Sequence, residues 1–136
     1  MKCFEAKIKI AAPPATVWRL LTDKTILASE AFDIATLEGD LRQGGRLKLV
    51  STLTPRPFKL KVTTFEPPRV MVWQGGMPLG LFTGTRRFSL TAEGTGTAFH
   101  MREAFTGLML PLIWNSMPDL TPSFTKFAQS LKQRAE

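Results

Sequence analysis

The pattern of apolar and polar residues changes abruptly near the start of the chain. Apolar and polar residues alternate from Phe4 to Ile10, which is the period of a strand with one buried face. Pro13 and Pro14 follow, and they fit the first turn of a helix whose apolar residues share one side. Asp23 is placed to cap a second short helix over 24–31. The pattern therefore predicts one strand followed by two small helices.

Six further strands and a terminal helix are predicted from residue 32 onward. Turns rich in glycine and proline separate the strands, and the connections are too short for parallel crossovers. An i, i+3, i+4, i+7 pattern predicts a C-terminal helix to about Gln133, with a broken start near 117–121 caused by prolines. A loop is predicted at 75–78. The predicted strands are 32–38, 45–54, 58–65, 69–74, 81–91 and 97–106.

Composition limits the class of protein. The chain has 136 residues, and at this size one domain over 1–136 buries a full core. Cys3 is its single cysteine and His100 its single histidine, so we expect no internal disulfide, no metal and no cofactor. Neither residue has a predicted partner: His100 is assigned to the surface, and Cys3 is interpreted as a spectator thiol rather than a nucleophile. No long apolar run or signal peptide is visible, which favours a cytoplasmic protein.

A formal net charge of +7 is concentrated on the predicted solvent face of the sheet. Such a face attracts nucleic acid or anionic lipid. The sequence has neither the aromatic platforms nor the motifs of specific nucleic-acid binding, so we expect no specific nucleic-acid partner. Transient contact with an anionic membrane stays open, as does the choice between monomer and homodimer. The outward cations are Lys7, Lys9, Lys48, Lys59, Lys61, Arg87 and Arg102.

Three segments carry a resemblance to a known family. They are A-P-P-A-T-V-W-R-L-L-T-D at 12–23, E-G-D-L-R-x-G-G at 38–45 and G-T-A-F-x-M-R-E-A-F-T-G at 96–107. The chain resembles the polyketide cyclase/dehydrase and lipid-transport group of the START/Bet v 1 (SRPBCC) superfamily. This resemblance implies the α+β helix-grip fold, in which a seven-stranded antiparallel curved sheet surrounds a long C-terminal helix. It also implies a cavity for a small lipid-like, aromatic or polyketide-like ligand.

Two charged residues are predicted to face the interior. Apolar neighbours on their strands turn Arg86 and Glu103 inward. If Ala92 pairs with Thr97 across the four-residue turn, Arg86 lies directly opposite Glu103. The pair is either a structural ion pair or the functional centre. In the second case it orients the polar end of a ligand, or Glu103 acts as a general acid or base.

The cavity wall is predicted from inward strand positions and from the segment before the terminal helix. Trp73 either lines the entrance or fills the core. Thr64 and Gln74 are further candidates for polar groups inside the cavity. The candidate ligand-binding residues are Leu49, Leu60, Val62, Trp73, Phe82, Arg86, Phe88, Met101, Glu103, Phe105, Met109, Ile113 and Met117.

Apolar residues gather in three connections that an antiparallel meander brings to one end of the sheet: 54–57, 75–80 and 106–111. They suggest a ligand entrance, a dimer contact or a membrane-touching tip, with packing on the terminal helix as the structural alternative. The leading hypothesis is binding or transport of a small hydrophobic ligand. The alternatives are a cyclase or dehydratase that uses Glu103 and Arg86, and a protein-interaction or co-chaperone-like module that uses the apolar rim.

Overall fold

A seven-stranded antiparallel sheet with the strand order β1-β7-β6-β5-β4-β3-β2 carries the fold. The computed structural model describes residues 2–54 and 56–136, apart from the side chain of Ser116. The strands from β2 to β7 follow one another through short connections, as the sequence predicts, and β1 completes the sheet by pairing with β7. The strands are β1 Lys2–Ile10, β2 Ile34–Gly39, β3 Arg46–Ser51, β4 Pro57–Glu66, β5 Val70–Met77, β6 Phe82–Glu93 and β7 Gly96–Thr106.

Two short α-helices connect β1 to the rest of the sheet. α1 (Pro14–Leu21) starts at the double proline, and α2 (Lys24–Leu27) is capped by Asp23, whose carboxylate accepts two backbone N–H hydrogen bonds of 2.9 and 3.3 Å. α2 ends at Leu27 rather than at 31. The Ser29 hydroxyl donates a 3.2 Å hydrogen bond back to a backbone carbonyl, which competes with helical continuation. A 3-10 helix at Glu30–Phe32 follows.

The C-terminal helix has the broken start that its prolines predict. α3 (Leu110–Ile113) and a 3-10 helix (Trp114–Ser116) come first, and α4 (Thr121–Ala135) forms after an extended break. α4 packs against β1, β7 and α1 on the concave side of the sheet, so the helix-grip arrangement is confirmed. No helix in the described part of the chain is both long and apolar enough to cross a bilayer. The buried residues of α4 are Phe124, Phe127, Ala128, Ser130 and Leu131.

The predicted loop over 75–78 is wrong, because β5 continues as a paired strand to Met77. Glycine is needed here for a close approach of two strands. A Cβ added to Gly75 would lie 2.7 Å from the backbone carbonyl oxygen of Lys59 on β4. The connection between β5 and β6 is therefore confined to 78–81.

A β-bulge between Val62 and Thr64 changes which side of the sheet the end of β4 faces. Thr64 pairs with Val72 on the outer face, and Phe65 turns inward onto Trp18, with ring centroids 5.3 Å apart. The prediction that Thr64 lines the interior is wrong for this reason.

Asp33 joins the terminal helix to the start of β2. Its carboxylate accepts hydrogen bonds from Ser123 Oγ (2.6 Å) and Lys126 Nζ (2.8 Å) on α4, and its carbonyl oxygen accepts one from the Thr52 N–H (3.0 Å). Burial raises the pKa of Asp33, but the hydrogen bonds from Lys126 and Ser123 together lower it by more. The net result is a pKa below the usual 3.8.

Replacing Asp33 with Asn should weaken the attachment of α4 in a pH-dependent way. Asn tolerates the positive φ of 56° at this position, so the change removes mainly the charge. At pH 6 we expect a loss of about 1 kcal/mol in the free energy of unfolding, a small value because Lys126 is half exposed.

The sign of the pH dependence follows from the lowered pKa of Asp33. The unfolded chain takes up a proton at this carboxyl before the folded chain does, so the stabilisation is present above pH 3.8 and is lost as the pH falls through the folded pKa. Urea unfolding across this range should show the difference between wild type and Asp33→Asn narrowing with acid. A constant difference would contradict the assignment.

Candidate functional site

Arg86 and Glu103 form a partly buried ion pair on the concave side of the sheet. The predicted register is confirmed, since Ala92 pairs with Thr97 and Arg86 lies directly opposite Glu103. The Nε and Nη2 atoms of Arg86 donate to Glu103 Oε1 at 2.9 and 2.6 Å, and the side chains are 22% and 14% exposed. The guanidinium also lies 4.9 Å from the ring centroid of Phe124, so α4 covers one side of the pair.

The interior changes from closed to half-open along β6. One step beyond the pair, Phe88 is fully buried and packs on Trp73 and Phe127, with ring centroids 4.8 and 5.8 Å apart. In the other direction, Phe82 stacks on Phe105 at 5.6 Å and remains partly exposed. The charged pair therefore lies at the boundary between a filled aromatic core and a solvent-accessible end of the concave face.

The predicted ligand-binding residues divide into two groups, whose role in binding stays a prediction. Two surface concavities, of about 450 and 690 Å³, border other parts of the sheet and include neither Arg86 nor Glu103. The buried group, part of the closed core, is Leu49, Val62, Trp73, Phe88, Met101 and Phe105. The partly exposed group, here called the half-open end, is Leu60, Phe82, Arg86, Glu103, Met109, Ile113 and Met117.

Exposed apolar side chains are concentrated around the same end of the sheet. They lie in or beside the β3–β4 and β5–β6 connections and after β7, as the sequence predicts, although Pro55 lies outside the described residues. The most exposed are Leu79 at 95% and Leu108 at 82%. We call this set the apolar rim: Leu53, Phe58, Met77, Leu79, Leu108, Leu112 and Trp114.

Trp73 contributes a buried hydrogen-bond donor beside the ion pair. It is 1% exposed, so it belongs to the core rather than to the entrance, and it pairs with Arg86 across β5 and β6. Its Nε1–H has no hydrogen-bond partner within the described part of the chain. A buried donor without a partner is unfavourable, and because this atom is enclosed by the closed core, a ligand does not reach it in this arrangement.

Gln74 lies outside the cavity, against the prediction. Its neighbour Trp73 points inward, so alternation sends Gln74 to the outer face, where its amide donates a 3.3 Å hydrogen bond to Thr85 Oγ1. Of the predicted interior polar residues, Arg86 and Glu103 are therefore the two that face the half-open end. The described residues contain no cluster of three or more His, Cys, Asp or Glu side chains suited to a metal ion.

His100 lies on the outer face, as predicted, and so does Cys3, but each has a neighbour that the sequence pattern missed. His100 Nε2 lies 3.7 Å from Glu5 Oε1, and Arg102 Nη2 donates to the Cys3 sulfur at 3.0 Å. Both contacts depend on the pairing of β1 with β7. That pairing joins segments far apart in the chain, and local periodicity does not predict its register.

Comparison with known proteins gives one family match and several matches in fold. The sequence model for polyketide cyclase/dehydrase and lipid transport proteins matches residues 1–136. No curated protein has significant sequence similarity to this chain.

The matches among solved structures are similar in fold at low sequence identity. The Mesorhizobium loti protein MLL2253 has a TM-score of 0.75 at 16% identity, covering 97% of this chain and 95% of its own. Thermus thermophilus TTHA0849 has a TM-score of 0.73 at 18% identity, covering 98% and 97%. A Thalictrum flavum norcoclaurine synthase mutant in complex with a transition state analogue has a TM-score of 0.71 at 12% identity, covering 98% and 93%.

Removing one charge of the interior pair should destabilise the protein more than removing both. Glu103→Gln leaves the guanidinium of Arg86 without a counter-ion, and we expect a loss of about 1.5–3 kcal/mol in the free energy of unfolding. The double variant Arg86→Met/Glu103→Leu should recover most of this loss, because apolar side chains replace both buried charges. Urea unfolding of the three proteins measures the difference.

The exposed ion pair between Arg69 and Glu66 is the matched control. Its atoms are 3.0 Å apart, but its side chains are 72% and 54% exposed, so Glu66→Gln should change stability by less than about 0.5 kcal/mol. Equal effects of Glu66→Gln and Glu103→Gln would show that the interior pair is solvated like a surface pair.

The single histidine permits a direct titration of the outer face. Burial lowers the pKa of His100, the nearby Glu5 carboxylate raises it, and neighbouring cations lower it, with a net pKa below 6.5. NMR titration of the one imidazole should give a pKa below 6.5, and Glu5→Gln should lower it further. Because the pKa of His100 is lower in the folded chain, the unfolded chain binds the proton more readily. The contribution of His100 to stability is therefore lost as the pH falls from 6.5 through the pKa of the folded chain. A pKa above 6.5 would contradict this arrangement.

Proposed function

Because the chain belongs to the polyketide cyclase/dehydrase and lipid transport family, we propose that it binds a small hydrophobic molecule at the half-open end of the concave face. The ligand enters past the apolar rim and lies against Leu60, Phe82 and Met109. Its apolar body is covered by these side chains, and its polar end reaches Arg86 and Glu103. This location differs from the broad cavity expected from the sequence, since the closed core already fills the space around Phe88.

The observation that supports this function best is the position of the charged pair. Arg86 and Glu103 lie among apolar residues, at the boundary between the filled core and the half-open end. Two apolar side chains at these positions would maintain stability equally well, because a buried ion pair rarely stabilises more than well-packed hydrophobic residues. The pair is therefore better explained as a recognition element than as a requirement of the fold.

The polar groups favour a ligand with a neutral hydroxyl or keto group. Glu103 already neutralises Arg86, so a carboxylate ligand would add an uncompensated negative charge beside Glu103. A hydroxyl group can donate to the Glu103 carboxylate, and a hydroxyl or carbonyl oxygen can accept from the guanidinium of Arg86. We therefore propose an apolar, preferably aromatic, molecule that carries a hydroxyl or carbonyl oxygen.

A second candidate function is catalysis of a cyclisation or dehydration by Glu103. Both hydrogen bonds from Arg86 go to Oε1, and Oε2 has no hydrogen-bond partner within the described part of the chain. The free oxygen is available to accept a proton from a bound ligand, while the two hydrogen bonds from Arg86 hold the carboxylate in position. This candidate uses the same binding mode and adds a proton transfer to it.

A competition assay tests the binding proposal. N-phenyl-1-naphthylamine, a neutral apolar fluorophore, is bound first and then displaced by naphthalene or by 2-naphthol. Wild type should bind 2-naphthol about fivefold more tightly than naphthalene, which corresponds to about one net hydrogen bond. Arg86→Met/Glu103→Leu should bind both compounds equally.

The variant Arg69→Met/Glu66→Leu controls for loss of charge at an exposed pair, and it should retain the wild-type preference. Failure of the fluorophore to bind wild type, or equal affinity of wild type for the two naphthalenes, would contradict the proposal. Circular dichroism of each variant establishes that a lost preference does not come from unfolding.

A further inference from the structure

A concavity of about 450 Å³ on the outer face of the sheet carries an excess of positive charge. We call it the outer groove. It runs across β2 to β5, and its charged side chains are Glu38, Arg46, Lys48, Lys59 and Lys61. With four cations and one carboxylate, its formal charge is 4 − 1 = +3. Its volume falls within the range of small-molecule sites.

The four cations of the outer groove face one another in two like-charge pairs. Arg46 lies directly opposite Lys61, and Lys48 lies directly opposite Lys59 on the paired strands β3 and β4. Like charges directly opposite each other on a sheet are destabilising. None of the four forms an ion pair with any residue that the structure describes. A bound anion would relieve this repulsion.

The two like-charge pairs are separated by one pair of residues whose backbone alone faces the groove. Leu47 and Leu60 lie between them on β3 and β4 and turn their side chains inward, which leaves the floor of the groove bare. The two pairs are two residues apart along their strands, a distance of about 7 Å, and the two strands are about 4.8 Å apart. The Cα atoms of the four cations therefore form a rectangle of about these dimensions. A compact anion with several oxygens can contact all four.

We propose that the outer groove binds a small molecule that carries two or more linked phosphoryl groups. Lysine and arginine form charge-assisted hydrogen bonds with phosphoryl oxygens, and the multiple charge of a diphosphate matches the excess charge of the site. A nucleic-acid strand would use aromatic side chains for base stacking, and none lines the groove. A membrane surface would use the exposed apolar residues, which lie at the end of the sheet rather than at the groove.

Calorimetric titration with inorganic pyrophosphate tests this site. Wild type should bind one pyrophosphate per chain, with an affinity that falls as salt is added. The double variant Lys48→Gln/Lys59→Gln should weaken binding about tenfold or more, because charge-assisted hydrogen bonds are lost. Without the anion, Lys59→Gln alone should unfold at a higher urea concentration than wild type, since it removes the like charge opposite Lys48 and leaves Lys48 opposite Glu38 on β2.

Lys7→Gln/Lys9→Gln is the matched control, because it removes two exposed cations from the same face outside the groove. This variant should bind pyrophosphate with the affinity of wild type, within about twofold. In wild type, the backbone amide NMR shifts caused by pyrophosphate should be confined to β3, β4 and their neighbours. If both double variants lost the same affinity for pyrophosphate, binding would come from general attraction to a basic surface, and the proposal would be overturned. Absence of binding by wild type would overturn it, and so would tight binding of a DNA oligonucleotide or an anionic vesicle that pyrophosphate cannot displace.

Discussion

The pairing of β6 with β7 determines which side chains enter the interior, and the other features of the structure depend on it. A slip of one residue in either strand would reverse its two faces and bring Arg87 or Arg102 into the core. In the observed register these two strands place one ion pair, Arg86–Glu103, on the concave face, and the phenylalanines around it pack against α4. The same pairing brings the end of β7 beside the β5–β6 connection, which assembles the apolar rim.

The two faces of the sheet differ in how far their charged side chains are paired with opposite charges. On the concave face, Arg86 and Glu103 neutralise each other, and apolar side chains surround them. On the outer face, positive charges are neutralised only in part, and two pairs of cations face each other across β3 and β4. The unpaired cations of β3 and β4 contribute to the net charge of +7, whereas the interior pair adds nothing to it. The proposed interior ligand and the proposed outer anion are therefore recognised by different charged groups.

Local patterns predict the strands, the helix caps and the interior ion pair because each depends on a few neighbouring residues. The turn between Ala92 and Thr97 is short, so counting back from it places Arg86 opposite Glu103. The bulge before Thr64 has no comparable signal, and one extra residue there reverses the end of β4. The loop predicted at 75–78 is an error of another kind. Glycine is found in turns, but it is also found inside strands where two backbones lie unusually close together, as here.

Contacts between distant segments are beyond the reach of local patterns. The proximity of Glu5 to His100 requires the register of β1 against β7, and the excess charge of the outer groove requires β3 to pair with β4. The volume of the interior is also a collective property. Inward positions can be counted from the sequence, but only packing shows that the aromatic residues around Phe88 fill their part of the space and leave the half-open end.

Methionine methyl groups provide a direct test of where the ligand binds. Met77, Met109 and Met117 lie at or near the half-open end, whereas Met71 and Met101 are fully buried in the closed core. In protein labelled with ¹³C at the methionine methyls, addition of 2-naphthol should shift the Met109 signal most, with smaller shifts at Met77 and Met117. The signals of Met71 and Met101 should stay nearly constant. Largest shifts at Met71 and Met101, or no shift at any methionine, would contradict ligand binding at the half-open end.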